Sequence, residues 1–167
     1  AKATASLAGA VTARGGVITA DGTQSGHVVW ATGVAGLDTM TAQHTRMVGG
    51  GVKGQAAVLD FDAIGQPQLF ADTLHIIPHE DGTVAIGSTS EREFDDPTGT
   101  DAALDDIVAR AKAALPVLRD ATVIKRWAGV RPRSRSRAPM LGEHPFQKGQ
   151  FVANGGFKIG FGMAPKV

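Results

Sequence analysis

The stretch that decides the fold runs from Leu74 to Glu91 and reads LHIIPHEDGTVAIGSTSE. Two runs rich in β-branched residues, 74–78 and 83–88, flank the dipeptide Asp81-Gly82, which favours a tight hairpin turn. Upstream, residues 55–61 and 69–70 are predicted as further strands joined by short turns. The centre of the chain is therefore predicted to be an antiparallel sheet.

One amphipathic helix follows these strands. Its apolar residues recur at intervals of three and four and so share one helical face; they are Leu104, Ile107, Val108, Ala111, Leu115 and Leu118. Thr100 is the predicted N-cap, Asp101 favours the positive end of the helix dipole, and Pro116 marks the stop. Two more strands are predicted at 123–127 and 150–153.

The N-terminal part has many turn signals. Val11 and residues 17–18 are predicted as short strands between turns, and no helix is predicted before residue 26. Residues 27–31 form a continuous apolar run, typical of a strand buried on both faces in a parallel sheet. A parallel partner requires a βαβ unit of about 30 residues or more, and nothing upstream resembles one. We therefore expect sequence to be missing at the N-terminus, and also at the C-terminus, where Gly160 opens a helix with little chain left.

Composition excludes several classes of protein. The chain has 167 residues, of which 43% are hydrophobic and 20% charged, values typical of a globular protein. Because it has no cysteine, disulfide frameworks, zinc–thiolate sites, iron–sulfur clusters and cysteine nucleophiles are excluded. No apolar run approaches the ~20 residues of a membrane span, no signal peptide opens the chain, and a cytoplasmic location is predicted. The net charge of +1 gives no global reason to bind nucleic acid.

Positive charge is concentrated between residues 125 and 137, which contain six basic residues and no acid. Alternation would place four arginines on one side of an extended segment; they are Arg131, Arg133, Arg135 and Arg137. This pattern is compatible with a solvated, partly ion-paired face, with a carboxylate site in which one arginine offers a bidentate fork, or with nucleic-acid binding. The absence of interleaved aromatic residues and of a nucleic-acid motif argues against the last.

Other candidate sites are weak. His75 and His79 would lie about 13 Å apart on a strand, too far to share a metal, so no metal site is predicted. His75 has apolar neighbours and is expected to face a core or a cavity. The motifs GxSxG, Walker A and GxGxxG are absent. Residues 154–160 are glycine-rich and follow a predicted strand, so they could present N–H groups to an electron-rich ligand.

Taken in order, several segments resemble the C-terminal part of the flavin-dependent D-amino acid oxidase superfamily, nearest to its glycine oxidase-like and D-amino-acid dehydrogenase-like members. They are VVWATG (28–33), VKGQ (52–55), LHIIPHEDGTVAIGSTSE (74–91), LP (115–116), RWAGVRPRSRSRAPMLG (126–142) and FVANGGFKIGFGMAP (151–165). The resemblance covers residues 8–165, and WAGVRP followed by P-x-x-G is its most specific piece. The flavin fingerprint of the superfamily has no counterpart here, so the chain is interpreted as a C-terminal portion.

The resemblance implies an α+β fold built from two lobes. Residues 45–127 would form an antiparallel substrate-binding lobe with a packed helix, and residues 1–44 and 128–167 would belong to an incomplete Rossmann-type FAD-binding lobe. FAD would be the cofactor of the full-length protein, and we expect this chain alone to bind it weakly or not at all. The implied partners are a small amino acid or amine and the missing N-terminal FAD-binding segment. A homo-oligomer is compatible with the sequence, whereas nucleic acid and a membrane span are not expected.

The resemblance also assigns site residues. Arg131 matches the arginine that binds the substrate carboxylate. His75 falls where glycine oxidase-like enzymes carry a pocket tyrosine, and Ser90 lies at another pocket position. Thr32 and Gly33 match a turn whose backbone lies near the cofactor. The loop that would run along the flavin ring consists of Gly155, Gly156, Phe157, Lys158, Ile159 and Gly160.

The implied reaction is oxidation of a C–N bond of an amino acid or related amine. A hydride leaves the α-carbon for the flavin, and water hydrolyses the resulting imine to an oxo acid. Because the flavin carries the redox chemistry, no catalytic side chain is predicted, and this portion by itself is expected to be inactive. Oxygen and a membrane quinone both remain open as electron acceptors. The alternative is a non-catalytic substrate-binding module or regulatory subunit without its own flavin.

Overall fold

The computed structural model describes residues 2–167 and contains eight strands and four α-helices in that part of the chain. The strands are β1 (Val29–Trp30), β2 (Gly49–Asp60), β3 (Leu69–Ala71), β4 (Leu74–Pro78), β5 (Thr83–Gly87), β6 (Thr122–Ser134), β7 (Met140–Glu143) and β8 (Phe151–Asn154). The helices are α1 (Lys2–Ala13), α2 (Gly33–Gln43), α3 (Ala102–Ala114) and α4 (Gly160–Met163), with short 3₁₀ turns at Pro116–Leu118 and Ala164–Lys166.

The strands form two sheets. The larger sheet has the order β3-β4-β5-β2-β6, and all of its neighbouring strands are antiparallel. The smaller sheet has the order β1-β8-β7, in which β1 and β8 are parallel and β7 and β8 antiparallel. The hairpin predicted around Asp81-Gly82 is confirmed as β4–β5, and Gly82 has the positive φ of 76° that the turn requires. The fold is thus a mixed α/β fold with a predominantly antiparallel sheet, as predicted.

Helix α3 packs on one side of the five-stranded sheet and creates the main hydrophobic core. We call this side the core face and the opposite side the open face. The buried apolar residues between helix and sheet include Ala57, Leu59, Leu74, Ile76, Val84, Ile86, Leu104, Ile107, Ala111 and Leu118. The predicted helix is therefore confirmed, but its N-cap is Asp101 and not Thr100. The Asp101 carboxylate accepts a hydrogen bond of 2.9 Å from the N–H of Ala103, which satisfies a helix-terminal donor.

Strand β6 is much longer than the five residues predicted and pairs with β2 over almost its full length. The register runs from Gly49 opposite Ser134 to Val58 opposite Lys125. It then shifts by one residue, so that Leu59 lies opposite Val123 and Ile124 is the extra residue of a β-bulge.

A second, smaller core joins α2 to the three-stranded sheet. Its buried residues are Leu37, Met40 and Val152. Helix α2 was not predicted, and it begins directly after Thr32, where the sequence suggested only the end of a strand.

The structure corrects the N-terminal predictions. Val11 lies within α1 because an alanine-rich run has strong helix propensity, and the glycines at 15 and 16 follow the helix end. Residues 17–18 belong to neither a helix nor a strand. Strand β1 does have a parallel partner in this chain, β8, which comes from far downstream and not from an upstream βαβ unit. β1 is also not buried on both faces, since Val29 is 58% exposed.

Two further observations concern the helix near the C-terminus and the length of the helices. The helix predicted at Gly160 is only four residues long before the 3₁₀ turn begins. Among residues 2–167, no helix has the length and apolar character needed to cross a membrane.

Candidate functional site

The open face of the five-stranded sheet has a floor of small residues. Side chains of paired strand residues point to the same side, so one row crosses all five strands; it consists of Phe70, His75, Gly87, Ala56 and Trp127. Further along β2 and β6, the next row on this face is a glycine pair, Gly54 opposite Gly129. The centre of the open face, at Gly87, Ala56, Gly54 and Gly129, therefore lacks large side chains, and aromatic rings lie only towards the two ends of the row.

The Arg131 guanidinium lies directly on this floor. Arg131 is opposite Val52 in the β2–β6 ladder and so projects from the open face. Its guanidinium occupies the space that a Cβ on Gly54 would fill. A glycine at position 54 is therefore the reason that the arginine can lie flat against the sheet.

Hydrogen bonds hold the guanidinium in this position. Its Nη2 donates to the carbonyl oxygen of Thr89 at 2.7 Å and to the hydroxyl of Ser88 at 3.3 Å. Burial lowers the pKa of Arg131 from its usual value, and the nearby carboxylate of Glu91 acts in the opposite direction. A guanidinium remains charged at any physiological pH. The partly desolvated cation is therefore available to an anionic ligand on the open face.

The Thr89 segment is held by a partly buried polar network on the core face, in which Gln55 and Lys53 are the buried members. Gln55, which has no exposed surface, donates through its backbone N–H to the Thr89 hydroxyl at 2.7 Å and accepts the Thr89 N–H at 3.2 Å. Its side-chain amide donates to Glu91 at 3.1 Å and to Asp101 at 2.9 Å. Lys53, only 3% exposed, lies 3.8 Å from the Glu91 carboxylate and 3.7 Å from that of Asp101.

A glycine-rich loop, residues 155–160, is attached to β6 beside Arg131. The Phe157 N–H donates to the Pro132 carbonyl at 2.9 Å, and Gly156 forms a bridge with Arg133. Phe157 has a positive φ of 45°, which is unusual for a residue with a side chain. Its ring centroid lies 5.7 Å from the Arg131 guanidinium carbon, 5.3 Å from that of Arg133 and 5.6 Å from Lys158 Nζ. The loop thus brings three cations around one aromatic ring.

The turn at Thr32 and Gly33 lies near the start of the same loop. Gly33 has a positive φ of 60°, and its carbonyl accepts a 2.8 Å hydrogen bond from the Asn154 side chain. The parallel pairing of β1 with β8 produces this contact between residues 121 positions apart. An apolar hollow of about 360 Å³ borders the loop, with Gly156, Phe157, Leu141 and Met163 in its lining.

Three N–H groups of the loop are used inside the protein. The Gly155 N–H donates to the Asn154 side chain, that of Phe157 to Pro132, and that of Ile159 to Gly156. Those of Gly156, Lys158 and Gly160 remain as candidate donors to a ligand. Since half of the predicted loop donors are occupied, the loop fits a ligand edge with a few acceptors, placed beside an apolar hollow.

The structure does not bring His75 to Arg131. Two strands separate them, so they are three strand spacings apart, about 14 Å, in addition to their offset along the strands. His75 faces neither the core nor a closed cavity: it is exposed, its ring lies 4.7 Å from that of Phe70, and Nδ1 is 2.8 Å from the amide nitrogen of Gln68. Ser90 is exposed and follows Thr89, whose carbonyl binds Arg131.

The arginine run divides into two parts. Arg131 and Arg133 lie in β6 and share the open face, whereas Arg135 and Arg137 follow the end of the strand and are exposed. The alternation predicted for four arginines therefore holds for two. At the other end of β6, Arg126 forms an ion pair with Asp105 on α3, which agrees with the partly ion-paired interpretation.

Sequence reasoning missed the residues that position Arg131. Gly54 lies within the segment VKGQ, but its spacing from Arg131 gives no signal without the β2–β6 register. The carbonyl acceptor of Thr89 is a backbone atom, which the residue type does not reveal.

The fold and this geometry together define a class: a mixed α/β module with a cationic site on the open face of an antiparallel sheet, beside a glycine-rich loop. Residues 3–166 match the family described as DAO, FAD dependent oxidoreductase. The chain belongs to this family.

Curated relatives agree with this assignment. Glycine oxidase of Pseudomonas putida is 34% identical over 152 residues, which cover 90% of this chain and 42% of that protein. Glycine oxidase of Pseudomonas aeruginosa is 36% identical over 115 residues, covering 68% of this chain and 32% of that protein. The chain thus spans less than half the length of these relatives.

Solved structures show the same fold. Glycine oxidase from Bacillus cereus superimposes with a TM-score of 0.73 at 27% identity, over 83% of this chain and 39% of that structure. Glycine oxidase from Geobacillus kaustophilus gives a TM-score of 0.72 at 27% identity, over 84% of this chain and 38% of that structure.

Proposed function

We propose that this chain is the substrate-binding part of an FAD-dependent oxidoreductase that oxidises the C–N bond of an amino acid or related amine. The observation that carries the proposal is the Arg131 guanidinium, held flat against Gly54 on the open face by the Thr89 carbonyl. Membership of the FAD-dependent family and the glycine oxidase names of the relatives support it.

Arg131 would bind the substrate carboxylate. A planar guanidinium can donate two parallel hydrogen bonds to a carboxylate, which fixes both the position and the orientation of the α-carbon. Because burial already disfavours the charged form of Arg131, an incoming carboxylate would supply the negative charge that stabilises this cation. The small residues of the floor would leave room for the rest of a compact substrate.

FAD fits the features around residues 155–160. The ring edge would meet the free N–H groups of Gly156, Lys158 and Gly160, its apolar part would meet the adjacent hollow, and Thr32 and Gly33 would lie near the cofactor. Phe157 and Ile159 would shape the loop, since their N–H groups are bonded internally. When bound, FAD would supply the acceptor for the hydride that leaves the α-carbon. This chain's own contribution would be to hold the substrate and to keep positive charge at the ring edge.

The proposed division of the chain follows from these roles. Residues 45–127 would form the substrate lobe, and residues 1–44 and 128–167 would belong to an FAD-binding lobe of Rossmann type. The dinucleotide-binding unit would come from a further segment, since the glycine fingerprint that binds the pyrophosphate is absent from this sequence. For Ser90, which follows Thr89, we propose a contact with the substrate near Arg131. His75 is about 14 Å or more from Arg131, so for it we propose a contact only with the far end of an elongated substrate.

The test is steady-state kinetics of the protein that carries this chain, purified from its host with its natural flanking sequence. Arg131→Ala should reduce kcat/KM for glycine by about 2–5 kcal/mol, roughly 30- to several-thousand-fold, because a charge-assisted bidentate contact is lost. Arg131→Lys should rescue poorly, since a point charge cannot replace a planar fork. Flavin content should stay unchanged.

Methylamine, which lacks the carboxylate, is the control substrate. Its much lower turnover should be insensitive to Arg131→Ala. Equal losses on glycine and methylamine would contradict the carboxylate role. Carboxylate binding by a purified protein that contains no flavin would favour the alternative function, a non-catalytic binding module.

A further inference from the structure

Three cations surround the ring of Phe157, and together they hold more positive charge than one carboxylate balances. Each of the three lies within 5.7 Å of the ring centroid, so no two of them are more than twice that distance apart. They are Arg131, Arg133 and Lys158. Like charges at this separation repel one another, and a partly buried site screens that repulsion less than bulk water does.

The described residues supply little negative charge to this cluster. Arg131 donates to the neutral Thr89 carbonyl and the Ser88 hydroxyl. The side chains of Arg133 and Lys158 form no hydrogen bond or ion pair with any residue in the part of the chain that the structure describes. Glu91, the acid that acts on Arg131 electrostatically, is bound to Lys53 on the core face. An anionic ligand is therefore the natural partner of the cluster.

Arg133 differs from Arg135 and Arg137, the arginines that follow it in the sequence. It is half-buried, its backbone is bridged to Gly156, and its guanidinium lies closest of the three cations to the Phe157 ring. It follows Arg131 by two residues on the same face of β6, about 7 Å along the strand. Arg135, two residues further on, is exposed beyond the strand.

We propose that Arg133 forms a second anion-binding position beside Arg131, so that the preferred substrates are amino acids or amines with two acidic groups. This inference rests on the proposed function of Arg131 as the binder of the first carboxylate. A second carboxylate held by Arg133 would restore charge balance around Phe157 and would orient the substrate at two points. Lys158, which is more exposed, would add to the positive potential without fixing direction.

The experiment compares binding of succinate, a dicarboxylate, and propionate, a monocarboxylate of similar size, to the 167-residue chain by NMR titration at low ionic strength. The unaltered chain should bind succinate roughly tenfold more tightly than propionate, as expected for one extra charge-assisted contact. Arg133→Gln should remove this preference and leave propionate affinity within about twofold. Arg135→Gln is the matched control and should retain the preference.

The possible results test the proposal for Arg133 separately from the proposal for Arg131. Equal affinity of the unaltered chain for succinate and propionate, or an unchanged preference in Arg133→Gln, would overturn the second position. Arg131→Gln should abolish propionate binding; if propionate binding survives, the proposed role of Arg131 fails while the Arg133 result stands independently.

An anionic group of the cofactor is the other source of negative charge, and FAD itself is the probe for it. If Arg133→Gln weakens FAD binding by the flavin-free protein with its natural flanking sequence but leaves the succinate preference of the 167-residue chain intact, Arg133 serves the cofactor and the substrate inference is overturned. The unfolding temperatures of the three glutamine variants should match that of the unaltered chain, which ensures that lost binding is not lost folding.

Discussion

The two faces of the five-stranded sheet use the same strands in opposite ways. On the core face, apolar side chains pack against α3 with almost no exposed surface, and the buried Lys53 and Gln55 are matched by two carboxylates. On the open face, glycine and alanine occupy the centre, and Arg131 and Arg133 form no ion pair with an acid among the residues that the structure describes. Neighbouring residues of a single strand therefore belong to two different environments.

This difference shows how a sheet separates stability from binding. Side-chain alternation gives one face to packing, whose free energy comes from buried area, and the other to a site whose cations are left uncompensated. A substitution on one face should consequently change unfolding and leave binding intact, and the reverse should hold for the other face.

The largest effect on folding is expected from Leu59→Ala. Leu59 has no exposed surface and lies in the main core, so its truncation should cost about 3 kcal/mol of unfolding free energy by lost burial and a residual cavity. Propionate affinity of the folded protein should not change. Urea denaturation followed by circular dichroism measures the first quantity, and NMR titration the second.

Val58→Ala is the matched control, since Val58 precedes Leu59 and projects from the open face, where it is only half-buried. Its cost should be about 1 kcal/mol or less. Equal costs for the two truncations would mean that the faces are packed alike.

A smaller effect, now on binding, is expected from Gly54→Ala. The added methyl would meet the Arg131 guanidinium, which is the mobile end of a long side chain and would be displaced from the Thr89 carbonyl. Propionate affinity should fall roughly tenfold, because the cation is no longer positioned. Unfolding free energy should hardly change, since the methyl displaces no backbone.

Gly129→Ala tests the same chemistry at the paired position. A Cβ there would meet nothing within 4 Å, so binding should be retained. A comparable loss in both variants would imply that any alanine on the glycine pair harms the sheet, and would contradict the specific contact between Gly54 and Arg131.

The smallest effect concerns pH and the polar edge of the core face. The hydrogen bond from the Gln55 amide, followed by that from the Ala103 N–H, lowers the pKa of Asp101 from its usual value. A carboxyl group whose pKa is lower in the folded than in the unfolded state stabilises the protein above the unfolded value, about 3.9, and this contribution is lost as pH falls through the folded pKa. Asp101→Asn keeps a helix cap but cannot titrate, so its stability should depend less on pH below about 5.

Urea midpoints between pH 7 and pH 2.5 provide the measurement. The difference between the unaltered chain and Asp101→Asn should narrow as pH falls. Asp120→Asn, at an exposed position shortly after the 3₁₀ turn Pro116–Leu118, is the control. A difference between the unaltered chain and Asp101→Asn that stays constant at every pH would contradict a titrating contribution of Asp101.

Local sequence patterns predicted individual helices and hairpins better than they predicted which distant strands pair with one another. The periodicity of 104–118 and the Asp81-Gly82 turn identified α3 and the β4–β5 hairpin, because both depend on neighbouring residues. Helix α1 was missed because its alanines carry no amphipathic pattern that distinguishes a helix from a loop. The parallel pairing of β1 with β8 depends on residues more than 100 positions apart, which sequence spacing cannot report.

The same distinction applies to the site. Arg131 and the loop at 155–160 were singled out from the sequence, and the structure places Arg131 and Phe157 side by side. The exposure of His75 was not foreseen because strand neighbours alone do not say which face of a sheet is covered. Gly54 and Thr89 were not foreseen as partners of Arg131, since one contributes the absence of a side chain and the other a backbone oxygen.

The extra residue Ile124 changes which face of the sheet the side chains before it in β6 point to. Strict alternation back from Arg131 would put Val123 on the open face, but the bulge returns it to the core, where it packs beside Leu59. Losing Ile124 would merely straighten the ladder, with Val123 and Lys125 still on their present sides. Deletion of one residue between Lys125 and Arg131 would instead reverse the alternation on one side of the deletion. Either Arg131 would then point to the core face, or the residues from Thr122 to Lys125 would exchange faces. Length changes in β6 should therefore be accepted at one position and rejected at its neighbours.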